Sequence, residues 1–109
     1  MEIIGRELKR ILAYGEPVDM RNNFDGLLGM VREELKEDPL NDTFFVFINR
    51  RGNYLKGIYW DRTGYCLFAK RLLRGRFKFP LEDRVQELSE KIFSLILDGM
   101  VVARRGSMQ

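Results

Sequence analysis

Nine Lys or Arg side chains fall within residues 44 to 79, FFVFINRRGNYLKGIYWDRTGYCLFAKRLLRGRFKF: Arg50, Arg51, Lys56, Arg62, Lys70, Arg71, Arg74, Arg76 and Lys78. Asp61 is the single acid among them, so the stretch carries nine minus one, or +8, while the whole chain sums to +3. The remaining residues hold 10 bases and 15 acids, a net of −5, so charge is sorted along the sequence. Cations gathered in this way suit a polyanion, because they displace the counterions condensed on a phosphate backbone. The plainer alternative is a solvated basic edge that deters strand addition by repulsion. Tyr54, Tyr59, Trp60, Tyr65 and Phe68 interleave with the cations. They could stack on unpaired bases, Trp60 beside Asp61 being the best placed, whereas rings at strand spacing ordinarily fill a core.

Other chemistry is narrower. The chain has no His and one Cys, Cys66, which removes imidazole bases, Ser-His and Cys-His pairs, Cys/His zinc clusters and any internal disulfide. Asp19, Asp25 and Asp61 are the carboxylates one would try as a metal-binding set for phosphoryl transfer. Each has a structural use instead: Asp19 and Asp25 at the start of a helix, Asp61 opening a turn. Arg21 is two residues from Asp19 and can hold that segment by a bidentate salt bridge. Cys66, between Tyr65 and Leu67, reads as a small core residue. No catalytic activity, cofactor or metal is expected.

At 109 residues, with 45% hydrophobic and 12% aromatic content, the chain fits a single domain over 1–109 with its own core. No apolar run approaches the roughly 18 residues that cross a bilayer, and the N-terminus, MEIIGRELKRIL, lacks the pattern of a secretory signal. The expected compartment is the cytoplasm, in association with the nucleoid if DNA is bound.

These residues need elements to position them. Ile3, Ile4, Leu8, Ile11 and Leu12 suit a helical stripe, while Arg10 to Tyr14 equally suits a short N-terminal edge strand stopped by Gly15 and Pro17; the strand is taken. Phe24, Leu27, Leu28, Val31 and Leu35 recur at helical spacing and predict a helix over about 23–36, capped by Asn22 or Asn23 and ended before Pro39. Gly26 and Gly29 inside it suggest a close approach by another backbone.

The basic sheet core, 43–79, reads as strands at about 43–49, 54–61, 65–72 and 76–79, joined at Arg51-Gly52-Asn53, at a type I turn over Asp61-Arg62-Thr63-Gly64, and at Gly75. The first of these, FFVFI, is apolar on both faces, as a strand covered on both sides would be. Beyond Pro80, one reading is a single helix with Val85, Leu88, Ile92 and Leu95 inward. The reading preferred is an extended piece at 84–88, Ser89 as N-cap, a helix over about 89–98 and Gly99 closing it. That helix is rich enough in apolar residues to suggest a contact with a second copy or another protein. Residues 103–109 read as a frayed tail.

The expected fold is therefore α+β: a four-stranded, mainly antiparallel meander packed by two helices, with an extra N-terminal edge strand. In a meander the first and third turns share one end of the sheet. Arg50, Arg51, Lys70, Arg71, Arg74 and Arg76 should meet there, on an edge about 14 Å wide for four strands, with Arg62 alone at the far end.

Three stretches, VDMRNNFDGL, FFVFINRRGNYLKGIYWDRTGYCLFAKRLLRGRFKFP and LSEKIFSLILDGM, together resemble a known family. D-M-R at Asp19, Met20 and Arg21 precedes F-D-G-L at Phe24 to Leu27. F-V-F-x-N-R-R-G spans Phe45 to Gly52, and Y-W-D-x-x-G-x-C-L spans Tyr59 to Leu67. K-R-L at Lys70 to Leu72 and G-R-F at Gly75 to Phe77 with Pro80 complete the pattern, which covers about residues 8 to 100. It resembles the TnpB-type second open reading frame product of the insertion-sequence-sixty-six family of bacterial transposable elements. The resemblance implies an accessory protein of transposition encoded beside a separate DDE-type transposase. Its partners would be that transposase and the DNA of the element, the ends above all.

Overall fold

The computed structural model describes residues 1–80 and 83–102; the expected tail at 103–109 lies outside them. A small antiparallel ribbon, β1 (Glu2–Ile3) with β2 (Arg6–Glu7), precedes β3 (Arg10–Tyr14) and helix α1 (Phe24–Glu33). Then come β4 (Thr43–Ile48), β5 (Tyr54–Asp61), β6 (Gly64–Arg71), β7 (Val85–Leu88) and α2 (Glu90–Leu97). The five long strands form one sheet in the order β6-β5-β4-β3-β7. Strand β3 runs parallel to β4, and every other pair is antiparallel.

The α+β class holds, with a mixed five-stranded sheet and a second small one in place of a four-stranded meander. Only β4, β5 and β6 form the meander. Residues 76–79 are not its fourth strand: they alternate exposed and buried, Arg76 and Lys78 outward and Phe77 and Phe79 inward, yet have no ladder partner. Nor is Arg10–Tyr14 an edge. It lies between β4 and β7, and four of its five residues are buried, the signature of a strand covered on both faces. A helix between β3 and β4 is what a parallel connection requires.

Alternation along the strands divides the core into two layers. Ile11, Ala13, Phe44, Val46 and Leu55 face α2 and pack with Phe77, Phe79, Leu88, Phe93 and Ile96. Leu12, Tyr14, Phe45, Phe47 and Ile58 face α1 and pack with Leu27, Leu28, Val31 and Leu35. FFVFI is thus apolar on both faces because each face is covered by a helix.

Helix α1 is shorter than the apolar spacing predicts. Lys36 takes φ 57, and the amide of Glu37 returns to Val31 O at 3.0 Å, closing the helix with the left-handed turn that usually carries Gly. Leu35 stays buried beyond the helix end, while Phe24 is 44% exposed and outside the core. Asn23 is the N-cap residue, but its side chain accepts no helical N–H. The second helix follows the sequence closely: Ser89 Oγ accepts from Ile92 N at 3.1 Å, and Gly99 takes φ 78.

No backbone approaches Gly26 or Gly29. A Cβ at Gly26 would collide with the Asn22 side chain, 3.0 Å from Cγ and nearer to Oδ1, whereas one at Gly29 meets nothing within 4 Å. Gly29→Ala is therefore expected to stabilise the protein by about 1 kcal/mol, the difference in helix propensity. Urea unfolding of the variant should show a raised midpoint with an unchanged slope.

A candidate nucleic-acid interface

The end of the sheet where β4 turns into β5 is built by one side chain. Asn49 Oδ1 accepts from the amides of Asn53 and Tyr54, each at 3.1 Å, and Asn49 Nδ2 donates to Asn53 Oδ1 at 2.7 Å. Gly52, at φ 72, lets the chain reverse inside this latch. The segment leaving β6 is fastened to the same turn, with Leu72 N donating to Asn53 O at 2.9 Å and Phe77 N to Gly52 O at 2.6 Å. Arg76 Nη1 donates to Arg51 O at 2.8 Å.

Seven cations share this rim: Arg50, Arg51, Lys70, Arg71, Arg74, Arg76 and Lys78. Between Pro17, Ile48, Phe77, Phe79 and Val101 lies an open cleft of about 500 Å³ bordered by Arg50, Arg51, Arg76 and Lys78. Arg51 and Arg76 also border a second hollow with Arg74. Three strands rather than four contribute, which makes the strand end about 10 Å wide; residues 74–79 extend it. Besides Arg76, two of the cations have work inside the fold. Lys70 Nζ donates to Leu97 O at 2.7 Å, neutralising the negative end of α2. The Arg71 guanidinium lies 4.5 Å from the centre of the Tyr54 ring. Arg50, Arg51, Arg74, Arg76 and Lys78 are exposed.

Among the described residues, none of the seven forms an ion pair, although the same chain pairs arginines readily elsewhere. Arg6 meets Asp42, Arg10 meets Glu37 at 2.6 Å, Arg21 meets Asp19 at 2.6 Å, Arg62 meets Asp61 at 3.1 Å and Arg84 meets Glu34 at 2.9 Å. The charge sorting seen in the sequence thus becomes a spatial one.

Two residues assigned to the interface from sequence are elsewhere. Lys56 is buried at 5% exposure in the α1 layer, where Nζ donates to Met20 O, Asn22 O and Asn23 Oδ1 at 2.7, 2.8 and 2.7 Å. Three oxygens replace the hydration of the ammonium, so its role is to fasten residues 20–23 to the sheet. This is also why the Asn23 side chain does not cap α1. Trp60 lies six residues along β5 from the rim, about 20 Å away at strand rise. It is half-buried with its ring 5.0 Å from that of Tyr65.

The other rings are also occupied. Tyr59 is buried, and burial with a hydrogen bond to Cys66 pushes its phenol up to about 12. Phe68 packs edge-on to Phe44 at 6.1 Å. The ring of this set that lies at the rim is Tyr54, partly buried with the Arg71 guanidinium over it. What composition did not reveal is Leu73, which is 100% exposed between Arg71 and Arg74. The Leu72-Leu73 doublet was the available signal, since adjacent strand residues face opposite ways and Leu72 alone points inward.

The carboxylates do not converge. Arg21 grips Asp19 through Nε, Nη2 and its backbone amide, which lowers that carboxyl to about 2. Val18 N donates to Ile48 O, placing this pair near the rim, while Asp61 is at the opposite end of β5. Asp61 does not open a type I turn either, because Arg62 takes φ 52, outside that turn's range. Among the described residues no group of three His, Cys, Asp or Glu could hold a metal.

Four apolar side chains of helix α2 face the core, with Phe93 and Ile96 fully buried and Ile92 and Leu97 packed on the same cluster. Leu95 is partly buried and belongs to neither core layer. Among the described residues no helix is long and apolar enough to cross a membrane.

Comparison with known proteins gives a consistent picture. Residues 9–107 match the family model described as IS66 Orf2 like protein. Two relatives come from Sinorhizobium fredii. The uncharacterized protein y4jC is 38% identical over 92 residues, covering 84% of this chain and 79% of the relative. The uncharacterized protein y4hO is 41% identical over 97 residues, covering 88% and 84%. No solved structure matches.

Proposed function

The chain belongs to the IS66 Orf2-like family of insertion-sequence proteins, and from that premise we propose that it is a non-catalytic accessory factor of transposition that binds duplex DNA through the basic rim. The DNA is that of the element, its ends in particular, and the partner in the reaction is the element's DDE-type transposase. The compartment is the bacterial cytoplasm, at the nucleoid.

One observation supports this reading: among the described residues, seven cations at one end of the sheet have no carboxylate partner, while five other arginines are paired. A purely solvated edge needs no such segregation. The Asn49 latch holds the turn before any ligand arrives, which limits the ordering cost of contact.

Gel retardation over a salt series tests the proposal, with terminal-repeat and random duplexes in parallel. Five exposed cations contacting phosphate give a log–log slope near −4.5, or a loss of roughly 500-fold between 50 and 200 mM salt. Retardation that is absent or insensitive to salt would reject it. Pull-down of purified transposase that survives nuclease treatment and does not depend on the rim would point to an interaction module that never touches DNA.

A further inference from the structure

A single exposed apolar side chain is ordinary on a protein surface. Leu73 differs in how it is presented. Its loop is tied at one end by the bond from Leu72 N to Asn53 O at 2.9 Å, and Leu72 packs against the core. At the other end the bonds from Arg76 Nη1 to Arg51 O and from Phe77 N to Gly52 O anchor the return. Between them Gly75, at φ 80, lies against Gly99, where an added Cβ would stand 3.4 Å from Gly99 O. The leucine therefore stands out on a braced loop, flanked by the exposed guanidinium-bearing residues Arg71, Arg74 and Arg76.

We infer that Leu73 is an apolar wedge that enters between base pairs of the DNA held by the rim and bends the duplex. This rests on the function proposed above and adds the mode of binding. An aliphatic side chain pushed into a base step unstacks it, and the loss is recovered when the bent duplex contacts more protein. Arginines on both sides of the wedge hold the phosphates flanking the opened step, where bending crowds negative charge. Pyrimidine–purine steps yield most readily and are the favoured sites. The same cations argue against an apolar protein pocket as the occupant, because closing such a pocket over Leu73 would strip water from guanidinium groups that have no carboxylate partner among the described residues.

The test uses the full chain and a duplex of about 25 base pairs carrying a fluorophore pair at its ends and 2-aminopurine in a central TA step. Wild-type protein is expected to bring the ends closer and brighten the 2-aminopurine. Leu73→Ala should melt as wild type does, since the side chain packs on nothing, bind about tenfold more weakly, and leave the duplex straight and dark. Leu73→Phe should keep both signals. Binding by wild type without bending or brightening would overturn the wedge and leave the DNA reading intact, as would full bending by Leu73→Ala. No binding by wild type at any salt would overturn both. Loss of transposase capture by Leu73→Ala, with bending unchanged, would make Leu73 a protein contact and also refute the inference.

Discussion

Reversing two rim charges, Arg74→Glu with Arg76→Glu, is expected to lower duplex affinity by about 10³-fold at 0.15 M salt. The double change removes two phosphate contacts and adds two repulsions, a swing of about four in effective charge. At that ionic strength each unit contributes about 0.7 to 0.8 of a log unit through counterion release. Arg62→Glu is a control for position, changing charge by two units rather than four, because Arg62 sits at the far end of the sheet and is already engaged with Asp61 at 3.1 Å. It should change affinity by about threefold at most, through long-range field alone. Fluorescence anisotropy at several salt concentrations gives both numbers, and the double variant should also show a shallower salt dependence. A loss in Arg62→Glu of about half that of the double variant in log units, in proportion to its two-unit change, would mean that total charge, not the rim, governs binding. Arg74 is exposed, whereas Arg76 Nη1 donates to Arg51 O at 2.8 Å, so the double variant should lose about 1 kcal/mol of stability and still be folded at the assay temperature.

Gly57→Ala is expected to cost about 3 kcal/mol, the effect of forcing a methyl group into a packed core. A Cβ at Gly57 would stand 3.2 Å from Phe44 Cδ1 and closer still to Cε1 and Cζ. That ring cannot swing aside. It is 1% exposed and held edge-on by Tyr59 at 5.7 Å, Phe68 at 6.1 Å and Phe93 at 5.7 Å. For a domain of this size the melting temperature should fall by roughly 12 °C or more. Phe44→Leu in the same background should restore part of the loss, so that the two changes cost less together than their sum. A Gly57→Ala protein within about 0.5 kcal/mol of wild type would show that the ring cluster is loose.

The places where sequence and structure part follow from what local pattern encodes. FFVFI, the Ser89 cap and Gly99 were legible because their signals act within a few residues. The placing of Arg50, Arg51 and Arg71 at one end was legible because hairpin turns alternate between the two ends of a sheet. Arg74 and Arg76 reach that end on a segment held by the bonds from Phe77 N to Gly52 O and from Arg76 Nη1 to Arg51 O rather than by a third hairpin. The position of Arg10–Tyr14 was not, although four apolar residues in a row after Arg10 pointed to cover on both faces; which neighbours a strand takes depends on residues far along the chain. Residues 76–79 show the reverse error. Their alternation is real, but alternation records which side chains face the core, not whether a ladder exists. Lys56 lies away from the rim for a reason that charge alone does not carry: its oxygens come from Met20, Asn22 and Asn23, more than 30 residues away.

Strand β3 has a further consequence for how the molecule comes into being. Its two neighbours are β4, which follows after the helix, and β7, whose first residue is 71 positions beyond the last of β3. At a ribosome adding about 5–20 residues per second, roughly 4 to 14 s separate the synthesis of Tyr14 from that of Val85. Through that interval the apolar run Ile11-Leu12-Ala13-Tyr14 has an open flank on a nascent chain, and the sheet closes only when the last strand and the helix behind it have been made.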